Sequence, residues 1–122
     1  METIANPKPI EIDEDEWAGK LSEELARFVD YVKENFEPLK IILFGSLAAG
    51  KPRLWSDIDI VIVRETDKNF IDRGLEIQKG FDTMVGIDLL VYTPEEFERL
   101  CEERAFFQQE IIEKGKVLHE RP

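Results

Sequence analysis

A single cysteine, Cys101, rules out an intramolecular disulfide and any zinc site assembled from cysteines. Cations are scarce as well: 16 Lys and Arg stand against 27 Asp and Glu, a net charge of −11 over 122 residues. Nucleic-acid affinity rests largely on cations meeting phosphates, so this excess of acid opposes bulk binding to DNA or RNA. It opposes adsorption to an anionic membrane for the same reason. Long apolar runs are missing too, none approaching the ~20 residues of a membrane helix. The opening METIANPKPIEIDEDEW has neither a basic start nor an apolar core, so it is not expected to act as a secretory signal. With the lone cysteine, these absences lead us to expect a cytoplasmic protein. What is present, 43% hydrophobic and 35% charged residues, suffices for one globular core. A domain this acidic suits a small phosphate-bearing ligand whose charge metal ions neutralise locally.

Residues 1–16, with Pro7, Pro9 and the acidic EIDEDE, are expected to form a flexible acidic tail, and residues 17–122 a single domain. From about Trp17 to Phe36, Leu21, Leu25, Phe28 and Val32 recur at helical spacing, and Pro38 ends the run. LKIILF (Leu39 to Phe44) and SDIDIVIV (Ser56 to Val63) read as strands buried on both faces. A helix over about Asn69 to Lys79 and a third strand, GIDLLVY (Gly86 to Tyr92), follow, which allows a parallel crossover. Thr93 then caps a helix with Pro94 in its first turn, and a last helix covers Phe106 to Glu113. KVLH adds a short edge strand. The order is that of an α/β (α+β) chain.

GSLAAGK (Gly45 to Lys51) nearly matches a Walker A loop, G-x-x-x-x-G-K-[ST], but Pro52 stands where a hydroxyl is needed. Proline also biases Lys51 away from helical geometry, so the Walker reading is set aside. Instead Gly45 lets backbone approach a ligand, and Ser46 adds a hydroxyl and an amide at what reads as a helix start, a combination suited to phosphate oxygens.

Side chains alternate along a strand, so Asp57, Asp59, Val61 and Val63 share one face and Ile58, Ile60 and Ile62 the other. Carboxylates two residues apart are separated by roughly 6.5–7 Å along the strand and can converge on one cation or bridge two; the alternative is a solvated strand end, with one acid serving as a cap. Oxygen-only ligands suit Mg²⁺ or Mn²⁺ rather than zinc. Asp88 is again a lone acid in an apolar strand, and a neighbouring strand would bring it to the same point. There it would complete a metal shell or take a proton from an attacking hydroxyl. Trp55, just ahead of the acids, is expected to pack under its loop, with stacking on a base as the alternative. His119 is expected on the surface, and Cys101 as a small apolar group on its helix. Phe106, Phe107, Ile111 and Ile112 are expected to cover the sheet, with a patch for a companion chain, in a homo- or hetero-oligomer, as the alternative.

GSLAAGKPRLWSDIDIVIV together with IDLLVY resembles the polymerase-β-type nucleotidyltransferase superfamily, and within it the minimal nucleotidyltransferases of prokaryotes. The shared pattern falls on Gly45, Ser46, Gly50, Ser56, Asp57, Asp59 and Asp88. The resemblance implies a mixed β-sheet flanked by helices, two Mg²⁺ ions on Asp57, Asp59 and Asp88, and Gly45 and Ser46 on the phosphates of a nucleoside triphosphate, with ATP as the substrate. It implies in-line attack of an acceptor hydroxyl on the α-phosphorus with loss of pyrophosphate. It further implies an antitoxin partnered with a HEPN-domain toxin, some members of the group transferring AMP to a toxin tyrosine. Related sequences often carry arginines where this chain has Leu47 and Ala49; Lys51 or Arg53 would take their place. That departure sets a second reading beside the first, a catalytically weak antitoxin or scaffold that neutralises its partner by binding.

Overall fold

The structure, a computed structural model, describes residues 12–122. The expected tail lies outside the described residues up to position 11. Helix α1 runs Glu14–Phe36, starting three residues ahead of the hydrophobic periodicity, because Asp13 caps it by accepting from Glu16 N at 2.8 Å. Glu14, Asp15 and Glu16 therefore occupy the positive end of a helix. Its far end closes with Glu37 in the left-handed region (φ 48°), ahead of Pro38.

Strand β1 (Lys40–Phe44) leads into a single turn of helix, α2 (Gly45–Ala48). Strand β2 (Ile58–Val63), helix α3 (Phe70–Gln78), strand β3 (Ile87–Tyr92) and helix α4 (Pro94–Glu103) follow, α4 opening on a capping box between Thr93 and Glu96. The last helix, α5 (Phe107–Glu113), is wound as a π-helix, and strand β4 (Lys116–Glu120) ends the fold. The sheet order is β3-β2-β1-β4, with β2 and β3 parallel and the other pairs antiparallel. It is the mixed sheet expected, with β4 on an edge.

Strand alternation sorts the core into two layers. Ile58, Ile60 and Ile62, with Ile41 and Leu43, face Leu21, Phe28 and Val32 of α1 and Ile77 of α3. Val61, Val63 and Ile42 face the other way, onto Phe97 of α4 and Phe107 and Ile111 of α5. Phe107 and Ile111 thus cover the sheet as expected, whereas Phe106 and Ile112 stand half exposed. Cys101 packs at the margin of this second layer, and burial pushes its thiol pKa up. His119, expected on the surface, is half-buried because the edge strand turns its ring to the Pro38 carbonyl at 3.2 Å. Among the described residues no helix is long and apolar enough to cross a membrane.

Candidate active site

The parallel register of β2 and β3 pairs Asp59 with Asp88, so the two carboxylates stand side by side on adjacent strands. Asp57 sits one residue ahead of β2, at the exposed mouth of the sheet. Asp59 is half-buried, and its pKa is pushed up to about 6. Desolvation is the largest cause; a hydrogen bond shared with Asp88 and repulsion from Asp88 and Asp57 add to it. Asp59 is thus influenced by both of the acids that the sequence led us to expect beside it.

Two glycines make room for them. Gly45 closes β1 with φ +75°, and a Cβ there would collide with the Asp59 carboxylate. Gly86, just before β3, does the same for Asp57, while its carbonyl accepts from Ile58 N at 2.9 Å. Gly86 was not marked by sequence reasoning, since a single glycine before a strand looks like ordinary punctuation. Gly45→Ala is expected to cost about 1–2 kcal/mol in fold stability from the left-handed backbone alone. It is also expected to push Asp59 aside and lower any transfer activity by about a hundredfold or more, as read by denaturant midpoint and by turnover.

The remaining predicted residues divide. Ser46 lies in α2 beside Gly45, half-buried at the end of β1. Lys51 and Arg53 are exposed on the following loop, with no ion pair among the described residues. Ser56 holds that loop together: its Oγ accepts from Arg53 N at 2.8 Å and its carbonyl from Trp17 Nε1 at 2.9 Å. Trp55, expected under the loop, is instead 58% exposed, because a positive φ of 66° turns it outward against Trp17. Leu47 packs on the α1 layer of the core and Ala49 is exposed.

Among the described residues no three His, Cys, Asp or Glu side chains form a ready-made metal cage. Burial, with Asp88 and Asp57 close by, makes an isolated charge on Asp59 unfavourable. The donor set itself, all carboxylate oxygen, fits a hard divalent cation, whose charge would offset that cost.

Acids carried on two parallel neighbours and faced by a glycine turn, within a mixed sheet flanked by helices, mark the fold as that of a nucleotidyltransferase. The sequence profile of the family described as "Polymerase beta, Nucleotidyltransferase" matches residues 27–122, and the chain belongs to that family. Its fold is similar to the crystal structure, at 1.40 Å resolution, of a protein from Sulfolobus solfataricus provisionally named a nucleotidyltransferase. The two superpose with a TM-score of 0.61 at 21% identity, over 85% of this chain and 84% of the other. No curated protein matches the chain in sequence.

Proposed function

We propose that the protein transfers a nucleoside monophosphate, AMP from ATP, to a hydroxyl of a partner protein, a HEPN toxin that it serves as antitoxin. The observation that carries this reading is the juxtaposition of Asp59 and Asp88 across the parallel register, with Asp57 next to them. Family membership supports nucleotidyl transfer as the general chemistry; the nucleotide, metal and partner rest on the resemblance described above.

In this reading Asp57, Asp59 and Asp88 hold Mg²⁺, or Mn²⁺ in its place. When bound, the cations neutralise phosphate charge and make the α-phosphorus more electrophilic. Gly45 and Ser46 orient the triphosphate, with Lys51 and Arg53 supplying loop charge and Ser56 keeping the loop in place. Asp88, exposed at the mouth of the site, takes the proton from the acceptor hydroxyl through a carboxylate oxygen. The hydroxyl oxygen bonds to the α-phosphorus, the bond to the bridging oxygen breaks, and pyrophosphate leaves. Burial of Asp59 beside two other acids supports a role for it as cation ligand, since an isolated charge there is unfavourable.

The test is transfer of label from α-labelled ATP to a co-purified partner. Incorporation is expected with Mg²⁺ and not with chelator, and Asp57→Asn should remove it; label transferred equally by Asp57→Asn would contradict the reading. The second reading, neutralisation by binding alone, is favoured by Leu47 and Ala49, apolar where sequences of the group it resembles often carry arginines. It expects Asp57→Asn to neutralise the partner as fully as the natural chain.

A further inference from the structure

The loop ahead of the acids holds an unusual residue. Trp55 has φ +66°, a left-handed conformation disfavoured for a bulky side chain, and yet the residue is 58% exposed. Strain of this kind persists only where the surroundings over-determine it. Here they do. Trp17, only 7% exposed at the start of α1, lies against the Trp55 ring with centroids 4.8 Å apart and planes inclined at 57°. The same Trp17 donates from Nε1 to the Ser56 carbonyl at 2.9 Å. A turn closes the other side, with Ser56 N bonded to Arg53 O at 3.1 Å and Arg53 N to Ser56 Oγ at 2.8 Å. A tryptophan recruited only for packing would be buried; this one is buttressed on one side and presented to solvent on the other.

We propose that Trp55 is a stacking platform for the base of the bound nucleotide, set in place by Trp17. The inference rests on the nucleotidyl-transfer reading above and adds where the base lies. Two peptide units separate Trp55 from Asp57, so their Cα atoms are no more than about 7 Å apart. The indole therefore lies within reach of a nucleotide whose phosphates sit at the acids. Lys51 and Arg53 share the loop, so the charge around the ring suits a ligand that is aromatic at one end and anionic at the other. A stack of this kind tolerates any base, because every base has a π-face, and it contributes affinity rather than chemistry. Trp55 is thus a positioning residue.

The test is calorimetric titration of the full chain with ATP and, separately, with inorganic tripolyphosphate, both with Mg²⁺. Trp55→Ala is expected to weaken ATP about tenfold, in line with the loss of one base–aromatic stack, and to leave tripolyphosphate unchanged. Trp55→Phe should restore most of the ATP affinity. Trp55→Gly, which suits the left-handed backbone, should behave as Trp55→Ala and so excludes misfolding as the cause. Unchanged ATP affinity in Trp55→Ala overturns the platform while leaving nucleotidyl transfer standing, even if that variant loses hold of a protein partner. Equal losses for ATP and tripolyphosphate overturn it too, by assigning Trp55 to loop structure. A natural chain that binds neither ligand overturns the platform and the underlying reading together.

Discussion

Asp59→Asn is expected to lower nucleotidyl transfer at least about a thousandfold and, in the same molecule, to make the metal-free protein harder to unfold at neutral pH. Both effects come from one property. The Asp59 carboxylate is desolvated next to Asp88 and Asp57, which lifts its pKa to about 6 from an ordinary 3.8. A carboxyl whose folded pKa is raised stabilises the fold fully below its unfolded value, and that contribution is lost as pH rises through the folded value. At pH 7 the ionised group therefore opposes folding. Since it is partly open to solvent, the opposition comes to about 1 kcal/mol rather than the larger figure the raw shift would suggest. The amide removes it, so the melting temperature should rise by about 4 °C at pH 7 and change little at pH 4. Thermal unfolding across that pH range checks the sign; a variant destabilised at pH 7 would contradict it.

Arg73→Ala is expected to have the largest effect on stability, on the order of 3 kcal/mol, read as a lower denaturant midpoint at unchanged slope. Arg73 is buried at 7% exposure and ties three elements together. Its Nε donates to Lys68 O at 2.7 Å, ahead of α3; Nη1 donates to Val91 O of β3 at 3.3 Å and to Glu96 Oε1 of α4 at 2.6 Å. Removing it orphans two carbonyls and frees the crossover that sets β3 beside β2. The pH dependence here has the opposite sign to that of Asp59. The hydrogen bond from Arg73, foremost, lowers the Glu96 pKa, so this pair's stability is present above the ordinary pKa of 4.5 and is lost as pH falls through the depressed value. Arg73→Lys keeps the charge but not the fork, and should recover only part of the loss. Because β3 carries Asp88, Arg73→Ala should weaken the site as well as the fold.

What was legible in the sequence had a local period. The alternation in Ser56 to Val63 put both aspartates on one face and the isoleucines on the other, which the two core layers bear out. Helix spacing and the Thr93-Pro94 start were equally local, and the mixed sheet followed from the resemblance. What was missed depends on contacts distant in the chain. Trp17 reaches Ser56 across 39 positions, and nothing around either residue announces the pairing. Arg73 reads as one more helix charge until β3 and α4 close over it. Gly86 gains its meaning only when Asp57 is seen against it. Packing under the loop, the expectation for Trp55, fails because of a left-handed backbone angle that no local pattern announces.

Nucleotidyl transfer at this site requires Asp88 to join Asp57 and Asp59 at a common cation. Calorimetric titration of Mn²⁺ into the full chain, with a non-hydrolysable ATP analogue present, compares the natural protein with Asp88→Asn. Uptake by the natural chain, weakened by more than about tenfold in the variant, is the expected result, since losing even an outer-shell partner of a metal commonly costs that much. No uptake by the natural chain, or the same affinity in both proteins, would contradict it.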